Sequence, residues 1–298
     1  MKSASAASNG ITIRRSEAPL GAEILGADVS RQLDDPTFKQ IEDAYNACSV
    51  IVLRDQRIND GQFVRFAKRF GELDVHIYEQ YWVPGYPEIM IISNIKENGR
   101  YVGLADAARV SVWHTDTSYQ KEPSRGSLLY ALEVPHHDNG VALGDTLFAS
   151  GFAAYDALPE SMKQRLFGLK AIHRWAVYEQ PKARTDATVE LDERQQEATP
   201  DVVHPLIRTH PISGRKAIYM SDLCVAGIVG MADGESRALL KELSVHCTRP
   251  EFIYRHKWRV GDLLMWDNTC TQHFAVIDYK LPQRRRMHRI TLKGSVPS

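Results

Sequence analysis

The sequence predicts a mainly β fold with flanking helices, an α+β chain built on an antiparallel sandwich or barrel. Short runs of β-forming residues recur along its length, each bounded by turn residues. Helical periodicity is confined to a few stretches set apart from those runs. No G-x-G-x-x-G or P-loop follows any run, so a doubly wound nucleotide-binding fold has no support.

Taken in order, residues 1–10 are small and polar without an apolar h-region, which predicts a flexible tail and argues against a secretory signal. One domain is expected from 11 to 298. Pro36 opens a helix through Tyr45, with Phe38, Ile41 and Tyr45 at helical spacing. Val50–Leu53 reads as a strand. Asp60 is placed as the cap of a second helix in which Phe63, Phe66 and Phe70 repeat on one side. Strands follow at Ile89–Ile92 and Ser127–Leu132, and helical signals near 150–167. Further strands are expected at Lys170–His173, Val202–Ile207 and Ala217–Met220, then a helix near 233–247 carrying Leu239, Leu240 and Leu243. Phe252–Trp258, Leu263–Trp266 and Arg286–Leu292 complete the set. Segments 76–110 and 179–201 read as irregular, and long irregular segments often serve as lids over a site.

With 298 residues the chain can bury a sizeable core, and its 43% hydrophobic and 25% charged residues are ordinary for a soluble protein. Lys plus Arg equals Asp plus Glu at 37 each, so no overall field favours nucleic acid or an anionic membrane. No stretch approaches the roughly 18 apolar residues of a membrane span. Cys48, Cys224, Cys247 and Cys270 form no C-x-x-C pair, which fits a reduced, cytoplasmic protein.

The chemistry concentrates in Trp113-His114-Thr115-Asp116 and in Trp266-Asp267-Asn268 with His273. H-x-D alone is weak and occurs twice. In an extended strand residues i and i+2 point the same way, about 7 Å apart at the backbone, so both can reach one ion. His114 and Asp116 follow Val110–Trp113, a plausible strand, whereas His136-His137-Asp138 sits between Pro135 and Asn139-Gly140, a turn signature. His273 lies beyond the apolar strand Leu263–Trp266 and supplies a third ligand. Two imidazoles and one carboxylate hold a ferrous ion on one face and leave the opposite positions open. Arg285 and Arg289, four residues apart on a strand, share a face about 13 Å apart. Buried guanidiniums need anions, either structural carboxylates or bound acids.

These residues resemble the taurine dioxygenase and 2,4-dichlorophenoxyacetate dioxygenase (TauD/TfdA) family of Fe(II)/2-oxoglutarate-dependent oxygenases, from about Ile11 to Leu292. Phe70-Gly71-Glu72-Leu73, Gly144-Asp145-Thr146-Leu147, His210-Pro211-x-Ser213-Gly214-Arg215 and Leu281–Arg285 with Met287-His288-Arg289 share in the resemblance. It implies a double-stranded β-helix, or jelly roll, with iron held by His114, Asp116 and His273. Thr146 and Arg285 would hold the distal carboxylate of 2-oxoglutarate, Arg289 an acidic group of the substrate, and His76 a second polar contact to it. The implied reaction consumes O2, releases succinate and CO2, and hydroxylates a small anionic substrate such as a sulfonate, sulfate ester or carboxylate. Where the oxidised carbon bears a heteroatom, the C–S or C–O bond then breaks. A homo-oligomer, dimer or tetramer, is implied as well. Positions that would contact taurine fall on Glu79, Val110, Glu179 and Cys224, with Tyr78, Tyr81, Trp175 and Tyr178 close by, so taurine itself is not expected. A zinc hydrolase using the same ligands and a metal-free jelly-roll binding protein are the competing readings.

Overall fold

A computed structural model of the chain describes residues 10–105, 111–175, 197 and 199–298. The chain enters through an antiparallel pair, β1 (Thr12–Arg15) and β2 (Ala22–Leu25). In α1 (Asp35–Cys48) the Asp34 carboxylate accepts from the Thr37 amide at 2.7 Å, and Pro36 occupies the first turn, where its missing N–H costs nothing. Phe38, Ile41 and Tyr45 are buried together, as their spacing predicts. β3 (Val50–Leu53) follows at once. α2 (Asp60–Lys68) is capped by Asn59 rather than by Asp60: the Asn59 side chain accepts from the Gln62 amide, and the Gln62 side chain accepts from Asn59 N–H. Asp60 sits one residue inside the helix, and its carboxylate pairs with His288 Nδ1 at 2.8 Å.

β4 (Leu73–Asp74), β5 (Trp82–Val83), β6 (Tyr86–Ser93) and a hairpin of β7 (Lys96–Glu97) and β8 (Arg100–Tyr101) come next. About half of the stretch from 76 to 105 is therefore strand, including the predicted Ile89–Ile92 run, and the rest is turn and irregular chain. Residues 106–110 and most of 179–201 lie outside the described residues. β9 (Gly126–Glu133) and β10 (Thr146–Ser150) lead to α3 (Gly151–Asp156), α4 (Glu160–Leu166) and β11 (Lys170–His173). The predicted 202–207 strand is two, β12 (Val202–Pro205) and β13 (Ile207–Thr209), followed by β14 (Lys216–Ile218) and β15 (Val225–Ile228). After α5 (Asp233–Cys247) come β16 (Ile253–His256), β17 (Leu263–Asp267), β18 (Thr271–Ala275) and β19 (Arg286–Leu292). Sequence pattern missed β1, β2, β4, β5, β7, β8, β10, β15 and β18. These are short strands, and several carry polar or small residues at inward positions.

The large sheet runs β1-β2-β3-β17-β9-β19-β6-β5, with β4 also on β19, and only β2–β3 is parallel. A second sheet, β16-β10-β18, lies against it. Leu129, Ala131, Leu264, Trp266 and Met287 of the large sheet pack with Phe148 of β10 between the two layers. The opposite face meets α1 and α2 through Leu128, Leu263, Met265 and Ile290 against Phe38, Ile41 and Phe63. Period-two alternation along β17 and β19 thus divides each strand between two cores. Each fully buried side chain of this kind contributes about 1.5–3 kcal/mol. This is a jelly-roll sandwich. The third sheet, β12-β11-β15, packs with α3, α4 and α5 in a separate apolar cluster. Among the described residues no helix is long and apolar enough to cross a membrane.

At Gly126 the helix layer presses close on the sheet. The Tyr45 hydroxyl donates to Trp266 O at 3.3 Å across it, and a Cβ at Gly126 would lie 2.6 Å from that carbonyl. Gly126→Ala is expected to destabilise the protein by about 1–3 kcal/mol through overpacking, read as a lower urea midpoint at unchanged slope.

Candidate metal centre

His114, Asp116 and His273 come together: one ligand atom of each lies within 4.8 Å of the others, and all three residues are buried. The local structure differs from expectation in two ways. Residues 111–117 form turn and bend rather than strand, with His114 alone in a β-bridge, and Val110 lies outside the described residues. His273 sits inside β18, opposite Phe148 of β10, not beyond a strand end. The bridge replaces the missing strand. His114 N–H donates to His273 O at 3.0 Å and His273 N–H to His114 O at 2.7 Å, which brings the ring centroids to 4.0 Å.

Hydrogen bonds fix which atoms remain for a metal. His114 Nδ1 lies 2.6 Å from Val112 O, and a carbonyl only accepts, so Nδ1 carries the proton and Nε2 keeps its lone pair. Burial holds the His273 imidazole well below its ordinary pKa, with His114 adding to the shift and Asp116 opposing it, so the ring is neutral. Asp116 Oδ2 accepts from Ser127 Oγ at 2.8 Å and Asn268 Nδ2 at 3.3 Å, and meets Arg289 Nη2 at 3.0 Å. Oδ1 faces His273 Nε2 at 3.9 Å. Burial alone would raise the Asp116 pKa, but the Arg289 guanidinium and the Ser127 hydroxyl hold the carboxyl well below the usual carboxylate range. Two imidazoles and an ionised carboxylate whose Oδ1 faces His273 fit a divalent first-row metal.

The Trp266-Asp267-Asn268 motif is the support for that set. Asn268 Oδ1 accepts from Trp266 Nε1 at 2.9 Å, while Nδ2 reaches Ser124 Oγ at 2.9 Å and Asp116. Asp267 meets His210 Nε2 at 3.1 Å and accepts from the Thr269 amide at 2.8 Å. His210 Nδ1 in turn accepts from the Ser213 amide at 3.0 Å, which accounts for the His210–Arg215 motif as a structural brace. His210, Asp267 and Cys270 also cluster, but both Asp267 oxygens are engaged and burial drives the Cys270 thiol well above its ordinary pKa. His136, His137 and Asp138 are exposed around a turn.

A cavity opens on the ligands, lined by His76, Tyr78, Asp116, Tyr119, Trp175 and Arg289 among others. It joins both residues expected to meet the substrate to His114 and Asp116. Leu104, Leu223 and Cys224 complete its apolar wall. Glu79 is exposed while its neighbour Tyr78 lines the cavity; Glu179 and Tyr178 lie outside the described residues. Thr146 lies on the same sheet as His273, opposite Ala275. Arg285 precedes β19 rather than lying on it, beside a register shift at Arg286–Met287, and is 7% exposed. A Cβ on Gly144 would stand 3.5 Å from Arg285 Nε, which puts the guanidinium beside Gly144, two residues before Thr146. Arg285 Nε has no hydrogen-bond partner among the described residues. Sequence reasoning missed Ser127, Tyr119, Leu104 and Leu223, which carry no motif of their own.

Comparison with known proteins agrees with this geometry. The family model "Taurine catabolism dioxygenase TauD, TfdA family" matches residues 12–291. An alpha-ketoglutarate-dependent 2,4-dichlorophenoxyacetate dioxygenase of Burkholderia sp. (strain RASC) is 37% identical, over 88% of this chain and 87% of its own. An alpha-ketoglutarate-dependent sulfate ester dioxygenase of Pseudomonas putida is 33% identical, over 93% and 88%. The crystal structure of a taurine dioxygenase from Burkholderia xenovorans superposes with a TM-score of 0.79 at 31% identity, covering 96% of this chain and 90% of that one. Fold and site thus define a non-haem oxygenase that takes Fe(II), 2-oxoglutarate and O2. The chain belongs to the TauD/TfdA family of Fe(II)/2-oxoglutarate-dependent dioxygenases. The zinc-hydrolase and metal-free readings give way to that membership.

Asn268→Ala would leave Trp266 Nε1 and one Asp116 bond unanswered in the interior. A loss of about 1–3 kcal/mol in urea unfolding is expected, with metal affinity down about 10- to 100-fold. Behind the turn after Asp116, His173 packs against His204 and Tyr219 at 5.0 and 5.7 Å between ring centroids. Burial pushes the His173 pKa from 6.5 down to about 3. The folded state therefore refuses a proton that the unfolded chain accepts below pH 6.5, so stability falls as pH drops through that window, by about 1.4 kcal/mol per unit. His173→Phe is expected to flatten that limb of the stability–pH curve.

Proposed function

We propose that His114 Nε2, Asp116 Oδ1 and His273 Nε2 hold the ferrous ion, and that the enzyme oxidises a small organic monoanion: a sulfonate, sulfate ester or carboxylate. The observation that carries this is the division of labour at Asp116, whose Oδ2 is committed to protein donors while Oδ1 faces the second imidazole. Bound there with 2-oxoglutarate and O2, the metal supplies an oxidation that releases succinate and CO2 and places an oxygen atom on a substrate carbon.

The chain's own residues would do the rest. Thr146 and Arg285 offer a hydroxyl and a guanidinium for the distal carboxylate of 2-oxoglutarate. Arg289 spends one edge on Asp116 and Ser127, and its Nε has no hydrogen-bond partner among the described residues, which leaves a donor for the substrate anion. His76 lines the same cavity as a second polar contact, and Tyr78, Leu104, Tyr119, Trp175 and Leu223 offer apolar walls for the carbon skeleton. Charge supports a monoanion. A ferrous ion with Arg285 and Arg289 outweighs Asp116 by three positive charges, of which 2-oxoglutarate answers two. The relatives named for a chlorinated phenoxyacetate and for sulfate esters act on acids of this size. We read residues 11–298 as one catalytic domain forming a homo-oligomer, and place it in the cytoplasm on its four unpaired cysteines, all buried.

The test is succinate release from 2-oxoglutarate after anaerobic addition of Fe(II), across small sulfonates, sulfates and carboxylates. Asp116→Ala is expected to abolish iron binding and turnover. Arg289→Ala should weaken the best substrate while slow substrate-free 2-oxoglutarate decay persists. Iron retained by the first variant, or full substrate affinity in the second, would refute the assignment.

A further inference from the structure

We propose that Trp258 is a positioning residue for the oxo acid: its indole N–H holds the Thr146 hydroxyl in the orientation that donates to the distal carboxylate. The inference rests on the reading of Thr146 given above. Trp258 lies just after β16 and is 1% exposed. Its Nε1 donates to Thr146 Oγ1 at 3.0 Å.

A threonine hydroxyl has one hydrogen to give and two lone pairs with which to accept. Indole N–H can only donate, so the Thr146 hydrogen cannot point at Trp258. Among the described residues the Thr146 hydroxyl donates to no acceptor. Its hydrogen is thus unspent in a buried setting, as is that of Arg285 Nε alongside Gly144. A carboxylate, which only accepts, satisfies both. Without the indole N–H the hydroxyl is free to turn and accept from the guanidinium, and the carboxylate loses one donor.

The indole is itself held in place. His256 packs edge-on against it at 4.5 Å and 84°. His256 Nε2 pairs with Asp262 Oδ2 at 3.1 Å, and Asp262 also accepts from Arg54 Nη1 at 2.6 Å and the Arg259 amide at 2.9 Å. Thr146 and His256 are register partners across β10 and β16, so the clamp and the hydroxyl share one piece of sheet. The apolar face of the ring joins the inter-sheet core with Leu20, Val52 and Leu264. Such bracing exceeds what a space-filling aromatic needs and fixes the direction of one N–H bond.

The experiment compares 2-oxoglutarate with 2-oxovalerate, which keeps the chelating end and carries a methyl in place of the distal carboxylate. Binding to anaerobic Fe(II)-loaded wild type, Trp258→Phe, Thr146→Val and the double variant is measured by calorimetry. Each single change is expected to weaken 2-oxoglutarate about 3- to 10-fold, the worth of one hydrogen bond, and the double change no further than Thr146→Val. Affinity for 2-oxovalerate should not move, and Thr146→Ser should restore the preference. In wild type loaded with Zn(II), the Trp258 indole N–H resonance should shift with 2-oxoglutarate and not with 2-oxovalerate. Full 2-oxoglutarate affinity in Trp258→Phe beside a loss in Thr146→Val overturns the role of Trp258 alone. Equal losses for both acids, or equal resonance shifts, overturn it too. An unaffected Thr146→Val removes the Thr146 assignment, and this proposal with it.

Discussion

A carboxylate deep in a protein must have its oxygens answered, and the architecture around Asp116 follows from that demand. Oδ2 is answered from three directions: Ser127 on β9, Arg289 on β19 and Asn268 in the turn between β17 and β18. Those elements are neighbours in the large sheet, where Ser127 is register partner to both Trp266 and Thr291. The sheet therefore delivers the donors, and Oδ1 is left over for a metal. The same economy governs the imidazoles, which the paired backbone bonds between His114 and His273 press together while burial holds the His273 ring below its ordinary pKa.

Positive charge is distributed with similar care. Arg289 lies on a central strand flanked by β9 and β6, largely shielded from water, and its first obligation is to Asp116. Arg285 stands just outside the strand, with Ser93 Oγ donating to its carbonyl and its own amide donating to Asn94 Oδ1. Anchoring by the backbone fixes the base of a side chain that, on the proposed assignment, meets an anion.

The layout of these groups was partly legible in the sequence. The continuous apolar run Leu263–Trp266 and the β-type run Arg286–Leu292 placed two central strands, and the spacing of Phe38, Ile41 and Tyr45 placed α1, because one-sided burial of a helix leaves a periodic trace. His114, Asp116 and His273 stood out through motif and chemistry. Their backbone did not: the 111–117 turn follows no propensity rule, since its conformation is set by the bridge to a strand more than a hundred residues away. β18 was hidden because Thr271-Gln272-His273 is polar for the sake of the site, which erases the apolar signal of a buried strand. Asn59 rather than Asp60 caps α2 because two adjacent residues both qualify, and Asp60 is recruited by His288.

The division between sheet and loop carries the last consequence. Ser127, Thr146, His273 and Arg289 sit on strands of the two facing sheets, where a slip of one residue would turn each to the wrong face. Tyr78, Leu104, Tyr119, Trp175, Leu223 and Cys224, which wall the cavity, all lie outside the strands. On the proposed assignment Thr146, His273 and Arg289 are thus held by register and His114 by its backbone bridge to His273, whereas residues that wall the cavity can be exchanged without disturbing a ladder. A scaffold built this way keeps one oxidation and admits many acids, which is the pattern seen in relatives named for sulfate esters and for a chlorinated phenoxyacetate at comparable identity to this chain.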